Sequence, residues 1–186
     1  KWMQERLITC GFHPLDAVVD ITNYVMLETG QPLHAFDLGK IQGGKMTIRE
    51  SRRGEELTTL DGSKHVLPQG AIVIEDAKHL IDLAGIMGGE NSAVGRDTKK
   101  ILLQAAVFDP VLIYKTSRAL NFSSAASKIY SAGMSPDQTL IGIERAMELL
   151  EKITGIKRLG SVIDIYSQKA HPAHIFFRTE YANRII

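Results

Sequence analysis

The chain has 186 residues, 44% hydrophobic and 23% charged, with a formal net charge of +1 and one cysteine. That is the composition of a globular domain, and no stretch is long and apolar enough to span a bilayer. Near-neutral charge excludes a global field for nucleic acid. Only local basic stripes remain, such as Lys115–Arg118 with Lys128, Arg52–Arg53 or Lys99–Lys100, and each also reads as a solvated face. Cys10 has no internal partner for a disulfide, no secretory leader pattern opens the sequence, and the expected location is the cytoplasm.

Trp2–Cys10 predicts a short helix with Trp2, Leu7 and Cys10 on one side, stopped by Gly11. Pro14 forces an extended entry into Ala17-Val18-Val19, whose β-branched residues favour a strand. Asn23 can cap a turn or two of helix over Asn23–Glu28, which would spend its amide on the backbone. The Gly30-Gln31-Pro32 turn then leads to His34, set between Leu33 and Ala35 and followed by Phe36. An imidazole there is either a satisfied core histidine or a polar group facing a pocket opposite Asn23. The pattern leaves both open.

Beyond Asp37 the character turns to β. Lys45–Glu50 alternates like a half-buried strand, and Glu55–Leu60 and Lys64–Leu67 form a hairpin about Asp61-Gly62. Ala71–Glu75 predicts a central strand, and Leu80–Met87 ends in Gly88-Gly89. Lys100–Phe108 is an apolar run with Gln104 near its middle, an amide that either pairs with a neighbour or faces a cavity. Helices are expected over Val111–Leu120, started by Pro110, over Ser124–Ala132, and over Ser135–Thr154. The last has a Ser135/Gln138 capping-box spacing, a stripe of Leu140, Ile143, Met147 and Leu150, an outer Glu148/Lys152 pair and a stop at Gly155. Leu159–Tyr166 reads as a closing strand and Gln168–Ala173 as a linker. Strands grouped before the main helices argue for an α+β fold.

Chemical motifs are sparse. There is no phosphate loop, and Gly85-Ile-Met-Gly88-Gly89 lacks the further glycine of a dinucleotide fingerprint; its glycines suit close backbone approach to a strand or a small ligand. His171-Pro-Ala-His174 has no carboxylate or cysteine support for a metal. No Ser-His-Asp or Cys-His set is placed by spacing.

Asp20–Asp37 (DITNYVMLETGQPLHAFD), however, closely resembles the β subunits of bacterial phenylalanyl-tRNA synthetases. The likeness continues in family order through Thr59–Gly62, Leu83–Val94, Ala105–Pro110 and Ala126–Gly133, covering roughly Trp2 to Ile165. It implies the central editing module of that subunit: an α+β, three-layer β/β/α unit with a β-sandwich of unusual topology. Residues 1–168 would form the module, and 169–186 a linker and the truncated start of the next domain.

The resemblance also implies an activity, hydrolysis of tyrosine wrongly attached to the phenylalanine tRNA. The parent enzyme attaches phenylalanine to that tRNA using ATP. A hydrophobic pocket rejects an isostere with one added hydroxyl by only ~10², whereas a second site built to bond that hydroxyl discriminates by about 10⁴. Carried over by position, Asn23 and His34 match the residues that orient the water or the ester end. Gly88 lines the pocket, Ser124 stands for the family's threonine, and Ala126 leaves room for the aromatic ring. Two positions depart from the pattern. Gln104 replaces a glutamate that accepts the tyrosine hydroxyl, and Ile129–Ser135 replaces the charged RFERGVD segment. The alternative is therefore a non-editing structural or tRNA-positioning module with a decayed pocket. No cofactor is expected in the module itself, ATP and Mg²⁺ belonging to the synthetic site outside the chain. The implied partners are the 3′ end of tRNA(Phe) and the α subunit in an α2β2 heterotetramer, with no membrane.

Overall fold

A computed structural model describes residues 1–166, 169 and 174–186. It opens with α1 (Trp2–Thr9), which buries Met3 and Leu7. The predicted face is rotated, since Trp2 is 45% exposed and Cys10 is exposed too. Trp2 instead stacks edge-on against Tyr24, 5.2 Å between ring centroids.

Residues Ala17–Thr29 form α2, so the strand expected at Ala17–Val19 is a helix. The cause is local hydrogen bonding. The Asp16 carboxylate accepts from the Val18 and Val19 amides at 2.9 and 3.0 Å, and Asp20 accepts from the Leu15 amide at 2.8 Å. These bonds start the helix and outweigh the β preference of two valines. Asn23 consequently lies inside α2 and caps nothing. Gly30 closes the helix in the left-handed conformation, φ +78°.

After the turn come β1 (Leu33–Asp37), β2 (Thr47–Glu50), β3 (Glu56–Thr58), β4 (Lys64–Val66), β5 (Ile72–Glu75), β6 (Leu80–Leu83), β7 (Met87–Gly88) and β8 (Ile101–Ala105). The hairpin forms as expected as β3–β4, and β5 is central in the order β2-β5-β6-β7. The predicted Leu80–Met87 strand is instead two strands, because the chain reverses at Gly85, φ +71°. A side chain on Gly85 would collide with Ile113 and Phe108, each 2.9 Å from an added Cβ. β2 is mostly exposed rather than half-buried.

α3 (Pro110–Ala119) and α4 (Ala125–Ala132) match expectation, and α5 runs from Gln138 to Thr154. No side chain caps α5, so the Ser135/Gln138 box does not form. The buried face of α5 is Gly142, Ala146, Leu149 and Leu150, while Leu140 is exposed. Arg145, not Lys152, makes the outer ion pairs, with Glu28 at 2.6 Å and Glu148 at 2.7 Å. Residues 159–166 form no strand, and 159–165 are exposed. α6 (Thr179–Ile185) buries none of its residues. The predicted boundary at residue 168, most of the predicted linker and His171 lie outside the described residues.

The layers follow from strand alternation. Leu33, Ile101 and Leu103 point to one face of the β1–β8 pair and pack with α1, α2 and α5 around Ile21, Val25, Ala146 and Leu150. Phe36 and Leu102 point to the other face and pack with Ile74 and Ile81 of the four-stranded sheet and with Ala84 just after β6. Helices, strand pair and sheet thus stack as three layers of an α+β fold. The far face of the sheet, through Val73 and Leu83, meets Leu57 of β3, Ile113 of α3 and Tyr130 of α4.

Candidate functional site

The site begins with a pairing that joins residues seventy apart. β1 and β8 run antiparallel with His34 directly opposite Gln104, so both side chains leave the same face, toward the four-stranded sheet. Two residues along, Phe36 holds the His34 ring edge-on at 4.4 Å between centroids. Opposite, β7 presents Gly88 with no side chain. An added Cβ there would fall 2.4 Å from His34 Cε1 and 2.8 Å from Nε2. Glycine at 88 is what allows the imidazole to enter between the layers.

His34 is half-buried as a residue, but its Nε2 is fully enclosed and has no hydrogen-bond partner among the described residues. Burial pushes the imidazole down to about 4, so the ring is neutral at physiological pH. A neutral imidazole with a free ring nitrogen can accept a hydrogen bond from a water or donate one to an ester oxygen, according to its tautomer. It is too weak a base to carry a proton away readily.

Other predicted residues sit further off. Gln104 is half-buried on the His34 face. Ser124 is the N-cap of α4 and spends its hydroxyl there, accepting from the Ser127 amide at 3.1 Å in a reciprocal capping box. Ala126 packs on the cluster that contains Tyr130 and Leu57. Asn23 belongs to the helical layer, against the face of β1 that His34 does not use. No hydrogen bond links it to His34 among the described residues. The structure therefore brings His34, Gln104 and Gly88 together, while Asn23 lies on α2 with no hydrogen bond to them among the described residues.

Three groups went unremarked in the sequence. Gln31 is fully buried and donates to the carbonyls of Pro32 at 2.8 Å and Ala106 at 3.1 Å, leaving its Oε1 without a partner. Tyr130 donates its hydroxyl to the Pro32 carbonyl at 3.3 Å and lies edge-on to Phe108. It ties the Ile129–Ser135 segment to the start of β1. Asp82 on β6 is 4% exposed, and burial pushes its carboxyl up to about 8. A charged residue inside the apolar run LIDLAGIM was the available signal for it.

A cavity of about 2040 Å³ among the described residues adjoins this face, sharing Gln104, Leu102 and Ile74 with it but reaching neither His34 nor Gly88. It is an open groove lined by β8, the start of α5 and residues 156–166, and of the six predicted residues it takes in only Gln104. Part of its wall is the mostly exposed segment 156–166, whereas the unpartnered buried polar atom within the strand pair is His34 Nε2. Among the described residues no group of three His, Cys, Asp or Glu could hold a metal ion, and no helix is long and apolar enough to cross a membrane.

Residues 1–155 match the model of the B3/4 domain. The phenylalanine–tRNA ligase β subunit of Symbiobacterium thermophilum is 41% identical over 184 residues, covering 99% of this chain and 21% of that protein. That of Dehalococcoides mccartyi strain CBDB1 is 42% identical over 185 residues, covering 100% and 23%. That of Thermotoga maritima is 36% identical over 185 residues, covering 100% and 24%. The chain thus spans between a fifth and a quarter of the length of these relatives.

Proposed function

The chain belongs to the B3/4 domain family, and from that premise we propose that its pocket hydrolyses tyrosine from mischarged tRNA(Phe) within a phenylalanine–tRNA ligase β subunit. The observation that carries this reading is His34: a neutral imidazole, enclosed against Gly88 and Phe36, with Nε2 unpartnered and Gln104 directly opposite. A buried polar atom left unbonded costs about 1–3 kcal/mol, and a bound water or ester oxygen would relieve it.

In this reaction a water attacks the ester carbonyl carbon, the bond to the terminal ribose oxygen breaks, and that oxygen leaves as a hydroxyl after taking the water's proton. His34 holds the water or the ester end by hydrogen bonding, as its depressed basicity allows. Asn23 would join it only through the substrate, from the α2 side. Gln104 presents a neutral amide oxygen for the tyrosine hydroxyl, Gly88 lines the pocket by admitting the His34 ring, Ala126 is the small residue beside the aromatic ring, and Ser124 acts through the start of α4. ATP and Mg²⁺ serve the synthetic site of the whole enzyme, outside this chain. The tRNA 3′ end and the α subunit of an α2β2 assembly are its proposed partners.

A scaffold role without hydrolysis is the second reading. It draws on the neutral Gln104 and on Ser124, whose hydroxyl is already bonded within α4. Deacylation of tyrosyl-tRNA(Phe) by the whole enzyme separates the two. Release above the uncatalysed rate, reduced about 10²-fold or more by His34→Ala, supports editing; the scaffold reading expects no release.

A further inference from the structure

Every residue from 98 to 109 lines the open groove of about 2040 Å³ that passes Gln104. The cause is topological. β8 pairs with β1 along one edge and with no strand along the other among the described residues. Leu102 and Leu103 project to opposite faces of that pair, yet both reach the groove, which therefore runs along the unpaired edge. Pockets for small ligands enclose roughly 300–1,000 Å³. An open groove of at least twice that volume, with a free strand edge in it, suits an extended polymer better than a free amino acid.

Its charges say which polymer. Arg96, Lys99, Lys100, Lys157, Arg158 and Lys169 line it, and none of them makes an ion pair among the described residues. Arg158 donates to the Gly160 carbonyl at 2.7 Å, and the other five side chains have no hydrogen bond there. Four carboxylates share the groove, but Asp16 and Asp109 are engaged by the first amides of α2 and α3, which leaves Asp137 and Asp164. Between the cations lie apolar surfaces, Ile74, Leu102 and Phe108 on one side and Leu140 and Ile143 of α5 on the other. Unpaired cations around an apolar floor are the means by which proteins hold single-stranded nucleic acid, phosphates on the charges and bases on the floor. A peptide strand could pair with the β8 edge but would leave these cations unanswered.

We propose that the groove along the free edge of β8 binds single-stranded RNA, with Lys99, Lys100, Lys157 and Arg158 as its phosphate contacts. That this RNA is the 3′ end of a tRNA rests on the proposed editing function. Lys100 and Gln104 are four residues apart along β8, ~13 Å, a distance of a few nucleotides. Gln104 in turn lies directly opposite His34, about 5 Å away across the ladder. A strand entering past the lysines thus ends beside the proposed site.

The test uses the whole enzyme that carries this chain and a labelled single-stranded oligoribonucleotide of about six nucleotides ending in CCA. Ultraviolet crosslinking followed by peptide mapping locates the contacts. The fraction crosslinked at each mapped peptide, followed against RNA concentration, gives the affinity of that site alone. Crosslinks are expected within residues 96–109 or 156–166. Lys99→Glu with Lys100→Glu, or Lys157→Glu with Arg158→Glu, should weaken that site about tenfold or more. Each pair should also flatten the slope of log affinity against log salt by about 1.4, at ~0.7 per phosphate contact. Lys99→Arg with Lys100→Arg should keep both, and since all four side chains are exposed the unfolding midpoint should hold throughout. Crosslinks found only elsewhere in the enzyme overturn the proposal. So does an affinity that both reversals leave unchanged, the result expected of a groove that takes a peptide strand instead. No ester is needed for this reading, so the two functions fail separately. RNA held here by an enzyme that releases no tyrosine sustains the surface and ends the hydrolytic reading. Release of tyrosine whose KM neither reversal raises overturns the surface and leaves hydrolysis standing.

Discussion

Burial shifts His34 and Asp82 in opposite directions from their ordinary protonation. Burial holds the imidazole down at about 4, from an unfolded value near 6.5, and holds the carboxyl up at about 8, from near 3.8. Between pH 4 and 6.5 the unfolded chain has a proton on the histidine that the folded chain lacks, which makes stability rise with pH. In the same range the folded chain keeps a proton on the aspartate that the unfolded chain has lost, which makes stability fall with pH. The two slopes cancel. Between pH 6.5 and 8 only the aspartate contributes, and stability is expected to fall by roughly 2 kcal/mol across that window, at about 1.4 kcal/mol per pH unit. Asp82→Asn should abolish that fall and expose a loss of stability on acidification from pH 6.5 toward 4, due to His34. Chemical denaturation at pH 5, 6.5 and 8 on parent and variant checks both signs. A residue-scale prediction for specificity concerns Gln104. Gln104→Glu restores a charged acceptor and should raise the tyrosyl over phenylalanyl deacylation ratio several-fold, since hydrogen bonds to charged groups are worth about 1.5–3 kcal/mol against 0.5–1.5 for neutral ones.

At the scale of elements, two glycines hold layers at the spacing the site needs. Gly88 lets β7 approach β1 so closely that a methyl group would meet His34. Gly88→Ala should displace the imidazole, lower stability by about 1–3 kcal/mol as overpacking does, and reduce any deacylation with it. Gly142 plays the same part between α5 and the turn before β1. An added Cβ there would lie 2.6 Å from Gln31 Cγ, and Gln31 is pinned by its bonds to Pro32 and Ala106. Gly142→Ala is expected to cost a similar amount, read as a lower unfolding midpoint, while leaving the order of substrate preference intact. These spacings were not legible in the sequence. What could be read was local: the β3–β4 hairpin from its Asp61-Gly62 turn, β5 and β8 from their apolar runs, and α3 and α4 from their start signals. Ala17–Val19 was misread because a single capping carboxylate at Asp16 overrides two β-branched residues. Leu159–Tyr166 was read as a strand from composition alone, and in the structure residues 159–166 form no strand. Of the site, His34, Gly88 and Gln104 each stood out as a polar or glycine interruption of an apolar run. Their meeting depends on the His34–Gln104 register and on β7 lying across from β1, and such long-range pairings leave no trace in a local pattern. Asp82 was visible as a letter and missed as a feature.

At the scale of the whole molecule, the three layers give the site its chemistry. The helices seal one face of the β1–β8 pair, and the four-stranded sheet closes the other. Between strand pair and sheet lie a neutral imidazole and an amide in mainly apolar surroundings, where hydrogen bonds are strong and unpaired groups costly. The B3/4 match over residues 1–155 takes in all of these elements, while the relatives are four to five times as long as the stretch they share with this chain. The substrate is therefore best presented to the complete enzyme. The central claim is tested most directly by supplying that enzyme with tyrosyl-tRNA(Phe) and following release of free tyrosine, with His34→Ala alongside. Release well above the uncatalysed rate, lost in the variant, is the predicted result. Release at the uncatalysed rate, or release that His34→Ala leaves unchanged, would contradict the account.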